Sequence, residues 1–195
     1  MIIKGETQIK EHLERLTEVD PKVVIRRLEK GSQVQKSFGL FFEIDDPDVD
    51  KKLGDFPIGA VPYHQIYTAF KESKGKTGKL FGSECTAPFS RFVEAGVGEC
   101  IEKAILVHLS AQRGRDAFLI NGCLTQDGVL GIGPHGFNVV FKDRKPYLVD
   151  AHNPYRGTGE IQTKNYIAPI IGIDNDFTTF IVPDEWKIGR TYTRF

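Results

Sequence analysis

The glycine-flanked break Gly96-Val97-Gly98-Glu99 limits how this chain can fold more than any other stretch. It ends any preceding helix and delivers Cys100 to the first turn of a new one, because glycine disfavours helix interiors. Ile101, Ala104, Ile105 and Leu109 then recur at i, i+3, i+4 and i+8, the buried stripe of an amphipathic helix. The helix is expected to stop at Gln112-Arg113-Gly114, where glycine accepts a left-handed cap and Arg113 suits the negative dipole end. Three strand-like runs follow, at residues 117–123, 137–141 and 147–149. The short polar turn Lys142-Asp143-Arg144-Lys145 makes the last two antiparallel neighbours. With the turn centred between Asp143 and Arg144, position i faces position 287 − i, which brings His135 and Asp150 to one end of the hairpin. An α+β fold is expected, with a helix packed on an antiparallel sheet.

That arrangement groups a thiol, an imidazole and a carboxylate, the parts of nucleophilic acyl transfer. A cysteine pKa of about 8.5 falls to roughly 3.5–7.5 at helix starts and beside cations. A fall of two units corresponds to about 2.7 kcal/mol of preferential thiolate stabilisation. A helix terminus supplies only about 0.3–1 kcal/mol. Glu99 and Glu102 oppose the thiolate if they approach the sulfur. A neighbouring imidazolium is therefore needed, and His135 is the candidate. Asp150 is the candidate that fixes its tautomer. Taken singly, each residue reads as ordinary structure: a packed cysteine, a turn histidine beside Pro134 and Gly136, a strand-end cap. Their order and spacing favour the chemical reading.

From His135 the chain reads H-G-F-N-V-V, and from Tyr147 it reads Y-L-V-D-A-H-N-P, with the aspartate fifteen positions after the histidine. These residues resemble the transglutaminase-like branch of the papain-like cysteine enzymes. That family places cysteine at a helix head and histidine and aspartate on successive strands, often as H-A-W-N-x-V with a later Y-L-V-D-P. The resemblance covers residues 96–154, under a third of the chain. Gly136 and Phe137 stand where alanine and tryptophan are common, and Ala151 where proline is frequent. The resemblance implies a papain-like or transglutaminase-like fold with Cys100 as nucleophile, His135 as general base and then acid, and Asp150 as imidazole orienter. It implies acyl transfer on a peptide or glutamine side-chain amide through a Cys100 thioester, ending in hydrolysis, deamidation or transamidation. The implied partner is a protein or peptide amide substrate. An arylamine-type acetyltransferase uses a similar triad, although no acyl-CoA-binding feature is legible. A catalytically silent binding module on the same fold is the alternative from a different class.

The remaining chain is read as scaffold. Ile9, Leu13 and Leu16 share one helical face within residues 7–17. Residues 23–28 and 38–44 read as strands separated by the turn Gly31-Ser32-Gln33. Asp46, Asp48 and Asp50 mimic the opening of a calcium loop, but Lys51 and Pro57 occupy its glycine and glutamate positions, so a solvated turn is expected. Residues 58–70 read as a short helix after Pro62 containing a structural His64, and residues 71–79 as a basic loop. Phe70 stands where a phosphate-binding loop needs its first glycine. This connector divides an N-terminal lobe with its connector, 1–79, from a catalytic lobe, 80–195, within one integrated domain.

Gly131, Gly133 and Gly136 fit G-x-G-x-x-G formally, but Pro134 and a following strand argue against a dinucleotide turn. These glycines are expected to let backbone approach the thiol or substrate. His108 is expected to be structural or at the surface. Residues 155–160 read as a loop near Asp150, and residues 167–173 and 177–182 as a final hairpin. Trp186 and the T-Y-T-R-F stretch are expected to cover an edge or pack on the N-terminal lobe. The 26 basic and 26 acidic residues cancel, so no global field points to nucleic acid. Apolar runs fall far short of the roughly 20 residues needed to span a membrane. Cys85, Cys100 and Cys123 form no disulfide framework and have no metal-ligand spacing, so neither metal nor cofactor is expected. Reduced thiols and the lack of a signal-peptide pattern suggest a cytoplasmic protein, or one delivered by a secretion system without a cleaved signal.

Overall fold

The computed structural model describes residues 1–49, 76–126, 129–152, 155–156, 160–161, 166–176, 178–187 and 190–194. After the short strand β1 (Ile2–Ile3), helix α1 (Glu6–Val19) buries Ile9, His12, Leu13 and Leu16 along one face. The apolar spacing read from the sequence accounts for that stripe. The next stretch departs from expectation. Val24–Ile25 forms a two-residue strand, β2, which pairs with a later strand rather than with residues 38–44. The hairpin instead joins β3 (Gln33–Ser37) to β4 (Leu40–Glu43), with Val34 facing Phe42 and Gly39 at φ 76° in the turn. Gln33 therefore belongs to a strand. Its polar neighbours hide this, since Val34 is the buried residue of β3.

Asp45, from the acidic turn, accepts a hydrogen bond of 2.9 Å from the Ser90 N–H. Asp50, Lys51, Pro57, His64 and residues 58–75 lie outside the described residues. The end of the basic connector is not a loop, because helix α2 (Thr77–Phe81) begins within it and buries Thr77 and Phe81. Strand β5 (Thr86–Pro88) pairs parallel to β4 and leads into helix α3 (Phe89–Ala95). Phe42 is packed by Phe81, Phe89 and Phe92 at ring-centroid distances of 5.5, 5.7 and 4.8 Å. Gly96 then takes the left-handed cap, φ 62° and ψ 35°, and its N–H reaches the Phe92 and Val93 carbonyls. The break before Cys100 is thus a helix stop.

Helix α4 (Cys100–Ala111) is followed by β6 (Ala117–Gln126), β7 (Val129–Lys142) and β8 (Lys145–Asp150), paired antiparallel in that order. Asn138 faces Val149 and Lys142 faces Lys145, the register expected from the turn. Asp143 and Arg144 both have positive φ, 50° and 65°, as a two-residue turn of this twist requires.

Tyr155–Arg156 (β9) and Glu160–Ile161 (β10) form a small ladder. The stretch expected as one final hairpin divides. Tyr166–Pro169 (β11) pairs with β8, whereas Gly172–Asp174 (β12) pairs with Thr179–Ile181 (β13). After the short helix α5 (Asp184–Lys187), Arg190–Thr193 forms β14 between β13 and β6. The T-Y-T stretch therefore fills the interior of the sheet instead of covering an edge. Gly122 admits it, since a Cβ there would overlap the Thr193 carbonyl oxygen.

Among the described residues, the strands run β1-β12-β13-β14-β6-β7-β8-β11 in one mostly antiparallel sheet, with β2 also on β6. One face packs under α4 with Phe42, Leu119, Val140 and Val149; the other packs under α1 with Phe118, Phe137, Leu148 and Tyr192. The protein is α+β, mainly an antiparallel sheet with few helices. Among the described residues, no helix is long and apolar enough to cross a membrane.

Candidate active site

Cys100 is the first residue of α4, and its helix start is closed by a capping box between Glu99 and Glu102. The Glu99 N–H donates to Glu102 Oε2 at 3.0 Å. Helix and sheet meet closely at this end because Gly136 has no side chain. A Cβ on Gly136 would lie 2.7 Å from Ile101 Cα, nearer than packed atoms tolerate. The Gly136 N–H instead reaches the Cys100 sulfur. One of the expected close-approach glycines therefore sits against the thiol's helix.

His135 precedes Gly136 on β7, and Asp150 ends β8. His135 Nε2 lies 2.8 Å from Asp150 Oδ2, and the ring also hydrogen-bonds Cys100. With Nε2 taken by the carboxylate, Nδ1 is the nitrogen left for the sulfur. The structure thus brings together Cys100, His135 and Asp150, the three residues singled out from the sequence. Asp150 is fully buried and accepts two further hydrogen bonds, from Tyr192 Oη at 2.8 Å and from the His152 N–H at 2.9 Å. A buried carboxylate needs this degree of satisfaction.

The electrostatics follow from these contacts. Burial pushes the Cys100 thiol up, but the His135 hydrogen bond and charge, the Gly136 N–H and the Lys36 charge together hold it below its ordinary value. For His135, burial acts downward, while the Asp150 charge and hydrogen bond, then the Cys100 contact, raise the ring to about 10. Both shifts favour a thiolate–imidazolium pair, and the two groups titrate as a unit.

Several residues of the site left little trace in the sequence. Lys103 stands three positions after Cys100 and is buried, with its Nζ 3.1 Å from His152 Nδ1. Burial is the main cause that lowers the Lys103 pKa. Burial, helped by the Lys103 charge, lowers His152 to about 4. The i, i+3 spacing was a signal for Lys103, and for His152 the position two residues after Asp150. Lys36 arrives from β3 to within 3.0 Å of Glu99 and 2.9 Å of Glu102. Tyr192 arrives from β14. Neither has a local sequence signal.

His108 is buried in the last turn of α4, and burial holds it at about 4, a neutral structural ring. Cys85 is exposed and Cys123 buried, and neither belongs to the cluster around Cys100. Among the described residues, no three of His, Cys, Asp and Glu are grouped to hold a metal ion.

No family model, curated protein or solved structure matches the chain. The chemistry of the site must therefore be read from its own geometry.

Proposed function

We propose that this chain is a thiol acyl-transfer enzyme of the papain-like, transglutaminase-like kind, acting on an amide of a protein or peptide. The observation that carries this reading is the unbroken relay from the Cys100 thiol through His135 to buried Asp150. In the first step the Cys100 thiolate adds to the amide carbonyl carbon. Backbone N–H groups at the start of α4 are suited to hold the developing oxyanion. The His135 imidazolium gives its proton to the departing nitrogen as the C–N bond breaks, leaving a thioester on Cys100 and ammonia or an amine as the first product. Neutral His135 then accepts a proton from the second nucleophile as it attacks the thioester. Water yields a carboxylate, hence hydrolysis or deamidation, and an amine yields a new amide. Water is the default acceptor, so hydrolysis or deamidation is the preferred outcome. Asp150 keeps the imidazole in one tautomer and one orientation throughout.

Alkylation of Cys100 by iodoacetamide, followed across pH by mass spectrometry of its peptide, tests the reading. The wild-type thiol is expected to react as a thiolate well below the ordinary cysteine pKa. His135→Ala should lower the rate at neutral pH by about 10–100-fold, each pKa unit changing the thiolate fraction about tenfold. A wild-type thiol with an ordinary titration overturns the enzyme reading and favours a silent binding module.

A further inference from the structure

Lys36 sits 63 and 66 residues before the two carboxylates it touches. Its side chain is 11% exposed, against 0% for Glu102 and 43% for Glu99. Those glutamates occupy the cap and third position of α4, one on each side of Cys100 in sequence. The capping box leaves Glu102 Oε1 buried without a hydrogen bond, and Lys36 Nζ, 2.9 Å from it, brings a positive charge as well as hydrogen bonds to the pair. Unopposed, two carboxylates beside the thiol disfavour its thiolate by like-charge repulsion. Asn121 Nδ2 donates to the Gln35 carbonyl at 2.9 Å, which ties β3 to β6 and fixes where Lys36 emerges.

We propose that Lys36 is a positioning residue for the acyl-transfer reaction: it clamps Glu99 and Glu102 at the helix start and cancels their field at Cys100. The inference rests on the thiol-enzyme reading of the site. Burial acts against the charged form of Lys36, but the charges and hydrogen bonds of Glu102 and then Glu99 outweigh it and raise its pKa, so the side chain stays cationic. The same charge is among the causes that lower the Cys100 thiol. Other ionisable groups act on the sulfur, His135 on β7 and Lys103 on α4, and behind them stand Asp150 against His135 and His152 against Lys103. Lys103 is engaged with His152 at 3.1 Å and also feels the charges of Glu102 and Glu99, whereas Lys36 lies within 3.0 Å of both cap carboxylates.

The test is the pH–rate profile of Cys100 alkylation in wild type, Lys36→Met, Lys36→Arg, Glu99→Gln and the double variant Lys36→Met/Glu102→Gln. Lys36→Met is expected to move the thiol profile up by about one unit, a roughly tenfold loss of rate on its acid limb. Glu99→Gln should move it the other way. Lys36→Arg and the double variant should return close to wild type, because one keeps the positive charge and the other removes a negative charge with it. A folded Lys36→Met with the wild-type profile overturns the inference. If Lys36→Met does not fold, an unmoved Glu99→Gln profile overturns it equally. An unactivated wild-type thiol instead removes the enzyme reading itself, so the two failures are distinguishable.

Discussion

Asp150 holds three hydrogen bonds while fully buried, and its donors come from β7, β14 and the residue two positions onward. This fixes how His135 titrates. Its folded pKa is raised to about 10, above the ordinary value of 6.5. Protonated His135 therefore contributes stability that is fully present below the ordinary value and is lost as pH rises through about 10. The Cys100 thiol is shifted the opposite way, so its contribution is present above the ordinary thiol value and lost as pH falls through the lowered one. A pH profile of kcat/KM on an amide substrate should fall on the alkaline side near 10 rather than near 6.5. Asp150→Asn should draw that limb toward neutrality. The Cys100–His135–Asp150 cluster was legible because a helix start and a short turn place its members by counting. Lys36 was not, because a contact across 63 residues leaves no periodicity to read.

Gly136 joins two elements rather than ending one. The 2.7 Å separation between its imagined Cβ and Ile101 Cα means that any side chain there must push α4 away from β7. Gly136→Ala is expected to cost about 1–3 kcal/mol, the usual range for overpacking. Thermal unfolding measures that loss. Cys100 alkylation should slow by more than the stability change explains, since the displaced helix start also weakens the contact with His135. An alanine variant with the wild-type rate would remove the close approach as the reason for glycine. Helices α1 and α4 and the β7–β8 register were readable because their apolar stripes and turn are local. The β3–β4 hairpin was obscured because β3 buries Val34 among polar residues, and Phe42 supplies the partner.

Across the whole molecule, the sheet does not follow chain order. β14 enters between β13 and β6, far from where a C-terminal stretch reads as an edge cover, and Gly122 is the concession that lets its backbone in. Tyr192 was illegible for this reason: its contact with Asp150 crosses 42 residues and depends on the strand's interior place. Long-range pairings of this kind form late, since loop closure must precede them. A chain ended at residue 187 carries Cys100, His135 and Asp150 but lacks the strand that supplies the Tyr192 hydroxyl. Pulse alkylation of such a chain should find a slow thiol, and of one extended through residue 194 a fast one. Equal rates would show that the relay is complete without the strand. On the proposed reading, a polypeptide leaving a ribosome exposes Cys100, His135 and Asp150 before β14 follows, so its thiol is expected to stay slow until that strand is added, a delay set by strand order.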